Sequence, residues 1–473
     1  MEKEEMDELI NAIAIGNIEI SGKKIEYEAV SEEYIIYGEN GQEEATIFMT
    51  AYICQNTEKR DKPILFAYNG GPGSASIFLN IGGLGPRIID LGDGVSVPFN
   101  PPFSMKDNKN TVLDICDLVF IDPIGCGFSR ILTKEAVKKY ASSQEDAKSM
   151  ICGINNFLSR HKRWNCPVFL LGESYGTVRA ALMAEQFYEN QIGNTCNALN
   201  IHIAGLILIG SLLDRDKSLF PVERAVTNFP SIAAAHWYNM KGEKPLLKKY
   251  IEDAEEFAFR KYLTVLALGK KATEKERKDV LEALISFTGL SQRYFEMHGL
   301  RLTVEEYLHE NARNTGRIVS PYDSRFASEA FQKTDQFDST AEEPYFERIM
   351  PAFTHCYYGV VKEALGITTD RDYQYTNLEM NENWKFDSPQ NPIHFVENAM
   401  RKNQKMKVMF VNGYYDMLTT YSYSEYMINT FDLPLDRTWH KGYESGHMPC
   451  IGEGQSFAVG EDLRRFIKWV TEK

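Results

Sequence analysis

The chain has 473 residues, 43% hydrophobic and 12% aromatic, which suffices for a large buried core and leaves room for about three average domains or one large α/β domain with an insertion. Its 66 acidic against 52 basic residues leave a net charge of -14, which argues against nucleic acid as a partner and gives no basic footprint for an anionic membrane. No run of about 18 apolar residues marks a transmembrane helix, and the eight cysteines show neither C-x-x-C nor metal-ligand spacing.

The N-terminus, Met1-Glu2-Lys3-Glu4-Glu5-Met6-Asp7-Glu8, has no basic start and no long apolar stretch, so it does not read as a secretory signal. Cys152 lies among Ile151, Ile154, Phe157 and Leu158 and reads as a buried thiol rather than part of a disulfide framework. The two together predict a reducing, cytoplasmic setting; a signal removed ahead of Met1 would make the protein secreted or periplasmic instead.

Residues 25–54 alternate as strands do. Tyr34-Ile35-Ile36-Tyr37, a turn at Gly38-Glu39-Asn40-Gly41, and Ala45-Thr46-Ile47-Phe48-Met49 predict a hairpin. Short apolar runs follow: Pro63-Ile64-Leu65-Phe66-Ala67-Tyr68, Leu118-Val119-Phe120-Ile121, Val168-Phe169-Leu170-Leu171, Leu206-Ile207-Leu208-Ile209 and Val408-Met409-Phe410-Val411. Strands buried on both faces of a mostly parallel, helix-covered sheet have this texture. Helical patterns separate them, as at 143–158 with Ser143 as N-cap. From 213 to 350 long charged helical segments dominate, among them 245–268 and 273–287. The chain therefore divides into a first core segment (1–212), a mainly helical cap insertion (213–350) and a second core segment (351–473).

Gly172-Glu173-Ser174-Tyr175-Gly176 stands between the third apolar run and a helical segment, Thr177-Val178-Arg179-Ala180-Ala181-Leu182-Met183-Ala184. Strand, G-x-S-x-G, helix is the context of a nucleophile elbow, although a plain strand–turn–helix junction can look the same. A serine nucleophile needs a base, and the base needs a carboxylate to orient it. Asp416 follows the last apolar run through Asn412-Gly413-Tyr414-Tyr415. His447 follows Gly446 in a loop that leads into a final helix at 456–470. Of the other histidines, His440 falls inside a strand and His355 in a helix. His161, His202, His236, His298, His309 and His394 sit at no comparable strand end.

An oxyanion needs donors. The first buried strand runs into Asn69-Gly70-Gly71-Pro72-Gly73-Ser74-Ala75-Ser76, so Gly71 and Tyr175 are the candidate backbone N–H donors. The same loop could cradle a phosphate, but it lacks the lysine of G-x-x-x-x-G-K-[ST] and no G-x-G-x-x-G follows.

These blocks, with Phe120-Ile121-Asp122-Pro123-Ile124-Gly125-Cys126-Gly127-Phe128-Ser129 and Gly446-His447-Met448, resemble the serine carboxypeptidase family, peptidase family S10. The resemblance implies an α/β-hydrolase fold with an inserted helical cap, a Ser174–Asp416–His447 triad and removal of C-terminal residues through an acyl-enzyme on Ser174. It implies no metal or organic cofactor, and peptides with a free C-terminus as substrates. Asn69, Gly70 and Glu173 would bind the substrate carboxylate, with Glu173 protonated and binding best at acidic pH. Asp122 and Ser129 would shape the pocket wall and its turn.

Two departures stand out. Ser74 replaces a cysteine usual in the family. A second glutamate is missing, for Asn80-Ile81-Gly82-Gly83-Leu84-Gly85-Pro86 has glycines where it would fall. The expectation is a less elevated Glu173 pKa, weaker carboxylate binding or a substitute cation, with Arg179 and Arg87 as candidates against the plainer reading of each as a structural ion pair. An esterase or acyltransferase on the same scaffold is the alternative, and a non-catalytic binding protein the remoter one.

Overall fold

The computed structural model describes residues 8–55, 62–187, 201–213, 221–329, 343–388 and 390–472. Nine strands form the central sheet: β1 (Asn11–Ile20), β2 (Lys23–Tyr37), β3 (Glu43–Cys54), β4 (Ile64–Tyr68), β5 (Asp117–Asp122), β6 (Val168–Glu173), β7 (Ile203–Ile209), β8 (Lys407–Gly413) and β9 (Thr438–Tyr443). Their spatial order is β1-β2-β3-β5-β4-β6-β7-β8-β9. The first three strands pair antiparallel, as does β3 with β5; every pairing from β5 to β9 is parallel.

Side chains on a strand alternate between faces, and both faces are apolar here. Leu65, Ala67, Phe169 and Leu171 join the core on one side. Ile64, Phe66, Val168 and Leu170 join the core on the other. The predicted hairpin is β2–β3. The strand before it, β1, is an additional edge strand joined to β2 through Ser21-Gly22, both at positive φ.

Helices cover both faces: α1 (Ser143–Arg160), α2 (Tyr175–Phe187), α3 (Pro221–Asn239), α4 (Leu247–Phe257), α5 (Glu274–Thr288), α6 (Val304–Thr315), α7 (Pro344–Cys356), α8 (Pro392–Lys402), α9 (Tyr421–Thr430) and α10 (Glu453–Thr471). The α1 cap is Ser142, one residue before the expected Ser143, because the Ser142 hydroxyl is the one that accepts from the Glu145 N–H. The expected helix at 245–268 is α4 continued through a π-helical turn, Ala258–Tyr262, into Leu263–Leu268.

Between β7 and β8 the inserted helices pack around a core of their own that contains Phe229, Phe257, Tyr262, Leu284 and Leu308. Residue 350 falls inside α7, whose Tyr345, Ile349 and Phe353 belong to the core under the sheet rather than to that of the insertion. Among the described residues no disulfide forms; six cysteine thiols are buried, Cys152, expected to be buried, is only partly so on α1, and Cys196 lies outside the described residues. No helix among these residues is long and apolar enough to cross a membrane, and no group of three histidine, cysteine or carboxylate side chains is placed to hold a metal ion.

Candidate active site

Ser174 sits between β6 and α2 with φ of 59°, the left-handed region that a non-glycine residue seldom adopts. Close packing enforces that turn. A Cβ on Gly172 would lie 2.1 Å from the Gly176 carbonyl oxygen, and one on Gly176 would lie 2.8 Å from that of Tyr68. The Ser174 N–H donates to the Ile209 carbonyl at 2.8 Å, which ties the elbow to the end of β7. The next residue, Gly210, lies against the His447 ring, for its Cβ would stand 3.3 Å from His447 Cε1. Elbow and histidine therefore meet at the end of one strand.

His447 Nδ1 is 2.8 Å from Asp416 Oδ2. The other carboxylate oxygen, Oδ1, accepts the Leu418 N–H at 2.8 Å and the Thr419 N–H at 3.0 Å. The Thr419 hydroxyl donates to Asp416 Oδ2 and lies 3.1 Å from His447 Nδ1. Asp416 and His447 are both buried. Burial would depress the imidazole pKa, but the Asp416 carboxylate beside it overrides that and holds it above the ordinary histidine value. His440 pairs with Glu425 and meets Asn412 Oδ1 at 3.2 Å, while the Asn412 amide donates to the Thr419 carbonyl at 2.9 Å. It thus stands behind the Asp416–His447 pair rather than in it.

The Gly-rich loop lies directly on the elbow. A Cβ on Gly70 would be 2.5 Å from the Tyr175 nitrogen and 2.6 Å from the Glu173 carbonyl oxygen. Tyr175 opens α2, so its N–H lies outside the helix's own hydrogen-bond ladder. Gly71 and Tyr175 both border one cleft of about 270 Å³. Asp122 and Ser129 brace this loop from behind and do not line the cleft. Asp122 Oδ1 accepts the Ser76 N–H at 2.8 Å, and the Ser129 hydroxyl donates to the Asp122 carbonyl at 2.7 Å.

Asn69 and Glu173 meet at 2.6 Å, amide nitrogen to Glu173 Oε1. The amide orientation is fixed, because Asn69 Oδ1 accepts the Leu79 N–H at 3.0 Å. Burial pushes the Glu173 carboxyl up to about 7; His447 and the Asn69 amide pull the other way, and Asp416 adds to the rise. Burial is thus the main cause of the rise, and no second glutamate contributes to it. The glycine at 83 has its own cause. A Cβ there would lie 2.1 Å from Cys450 Cβ, so Cys450 occupies the space that a side chain at 83 would need.

Neither proposed cation reaches the site. Arg179 is fully buried; its Nε bonds Asp146 Oδ2 at 2.7 Å and its Nη1 donates to the Asn69 carbonyl at 2.6 Å, with the Tyr175 ring 5.2 Å away. It holds Asn69 from beneath and cannot face a substrate. Arg87 is exposed and paired with Asp107 at 3.8 Å, beside Tyr27 and Tyr52 near the antiparallel end of the sheet.

Four residues near the triad have no counterpart in the sequence reading. Thr419 carried a weak signal, lying three positions past an aspartate, where side chain to backbone bonds commonly form. Tyr322 carried none. Its carbonyl accepts the His447 N–H at 2.7 Å and its ring stands edge-on to the imidazole at 5.3 Å. Glu343, half-buried, bonded to Ser320 and pushed up to about 7 by desolvation, and Tyr345, a buried phenol pushed well up, add further acids nearby.

A nine-stranded, mostly parallel sheet with a serine at its elbow and an Asp–His pair past later strands defines the α/β-hydrolase class. Within it, the sequence profile described as serine carboxypeptidase matches residues 29–468, and the chain belongs to that family. Two Arabidopsis thaliana proteins, serine carboxypeptidase-like 30 and 34, are 26% and 29% identical over 153 and 163 residues. Those segments cover 32% and 34% of this chain but only 29% and 30% of the relatives' lengths. A solved structure, a prohormone-processing carboxypeptidase of Saccharomyces cerevisiae, superposes with a TM-score of 0.58 at 14% identity, covering 93% of this chain and 91% of that one.

Proposed function

We propose that this protein removes C-terminal residues from peptides by serine acyl transfer. The observation that carries the reading is the Asn69–Glu173 pair, a buried acid lifted to about 7 beside the serine. A protonated Glu173 donates to the substrate's terminal carboxylate, and Asn69 and the Gly70 backbone complete the grip. Ser174 Oγ attacks the last peptide carbonyl while His447 takes its proton. Asp416 holds the imidazole tautomer, and the Gly71 and Tyr175 N–H groups stabilise the oxyanion. His447 protonates the leaving amino acid, and water then frees the acyl group. Mass spectrometry of N-blocked, free-acid peptides should show stepwise C-terminal loss with wild type and none with Ser174→Ala. Intact peptides after incubation with folded wild type would reject the reading.

The missing second glutamate favours one second reading, an esterase or acyltransferase. A single acid grips the carboxylate less firmly than two, so esters without a free carboxylate could compete. Higher kcat/KM for such esters than for any free-acid peptide would select it.

The acid also sets a pH dependence. Below about 7 Glu173 is neutral and donates; above it the ionised group repels the substrate carboxylate. KM for a free-acid peptide should therefore climb as pH rises through that value, by up to about tenfold per unit, while KM for the matching peptide amide stays flat. His447, raised above its ordinary value, must be neutral to act, so kcat should fall as pH drops below its pKa. Glu173→Gln should abolish the KM slope. Parallel KM profiles for acid and amide would rule out this role.

A further inference from the structure

The cleft bordered by Gly71 and Tyr175 has more in its wall than a backbone oxyanion site needs. Val178, Leu212, Phe386, Leu418 and Tyr423 give it apolar sides, and Ser211, Arg224, Asn228 and Thr420 give it polar ones. Asn69 and Glu173 are not in that wall. If those two hold the substrate's terminal carboxylate, the cleft lies across the scissile carbonyl from them and receives the acyl side. This inference thus rests on the carboxypeptidase reading and adds a substrate class to it.

Three polar features of the wall point the same way. Arg224, on the first turn of α3, is exposed, and no carboxylate among the described residues pairs with it. None of the twelve lining residues is acidic, so among the described residues Arg224 is the wall's only charge, on a chain whose net charge is -14. Ser211 is 1% exposed, yet its hydroxyl has no hydrogen-bond partner among the described residues. A buried hydroxyl left unpaired is costly, and an acceptor brought in by a ligand relieves the cost. Asn228 accepts from the Thr420 hydroxyl at 3.2 Å, which leaves its amide N–H groups without a partner among the described residues. One cation and two groups able to donate, set among apolar walls, match a carboxylate on a short aliphatic stem.

We propose that this cleft binds an aspartate or glutamate side chain at the penultimate residue of the substrate, with Arg224 as the residue that selects it. The test compares N-blocked peptides that differ only there, as Glu, Gln, Leu or Lys. Wild type should favour Glu over Gln by about tenfold in kcat/KM at low salt, and less at high salt because Arg224 is exposed to screening counterions. Arg224→Ala should bring the Glu-to-Gln ratio near one, and Arg224→Glu should make Lys the preferred residue. Arg224 is exposed, so these variants should fold, which circular dichroism would verify. Trimming with a Glu-to-Gln ratio near one in wild type overturns this proposal and leaves the carboxypeptidase reading intact. No trimming of any of the four by folded wild type overturns both.

Discussion

Asp416→Asn is expected to lower kcat by about 10⁴-fold and to leave KM within about twofold. Every acceptor on this carboxylate is in use. Oδ1 takes the Leu418 and Thr419 N–H groups at 2.8 and 3.0 Å, and Oδ2 faces His447 Nδ1 at 2.8 Å and accepts the Thr419 hydroxyl. An amide supplies only one acceptor. With its oxygen toward the two backbone N–H groups, its NH2 meets His447 Nδ1. The imidazole must then carry its proton on Nε2, the nitrogen that should receive the proton of Ser174. With the amide reversed, its NH2 opposes the two backbone donors instead. The two backbone donors select the first orientation, in which the base is lost while the Asn69–Glu173 pair stands untouched, so the defect belongs in kcat. Stopped-assay kinetics on a free-acid peptide would measure it. A fall of less than about tenfold would show that His447 is oriented by something other than Asp416, with Thr419 the nearest candidate at 3.1 Å.

The parts of this site that were legible in the sequence are those whose geometry forces a residue type. Gly172 and Gly176 are forced by carbonyl oxygens 2.1 and 2.8 Å from any Cβ, so the elbow leaves a trace in the chain. The fully buried strands, such as β4, must be apolar on both faces and announce themselves in the same way. The remaining parts depend on contacts that leave no such trace. Tyr322 supports His447 through a carbonyl, which any residue could provide. Gly83 and Cys450 explain one another only once they are seen side by side. The edge strand β1 had a turn signal in Ser21-Gly22 and a buried face in Ile18 and Ile20, but Ile13 and Ile15 on its other face are 63% and 68% exposed, so the apolar run at 12–15 does not pick out the core side. Arg179 was open to two readings in the sequence, a ligand partner or a structural ion pair, and the turn of α2 decides for the pair by carrying the side chain under the loop and onto Asp146.

Arg179→Ala should therefore be a stability variant first, at about 3–5 kcal/mol. It strands Asp146 as a buried acid, and burial already lifts that carboxyl above its ordinary value in spite of the arginine. A pair so desolvated gains little net stability, so the double variant Arg179→Met with Asp146→Leu should recover most of the loss. It should not recover substrate binding. The Asn69 carbonyl loses its 2.6 Å partner in both variants, and Asn69 is the residue that orients Glu173. KM for a free-acid peptide should rise in the restored double variant while KM for its amide stays level. Denaturant unfolding and the paired KM values separate the two effects. If Arg179→Ala kept full stability and raised only the free-acid KM, the arginine would have to reach the substrate after all, against its burial here. If the double variant regained both stability and KM, the contact with Asn69 would be packing alone, and Arg179 would have no part in positioning the carboxylate site.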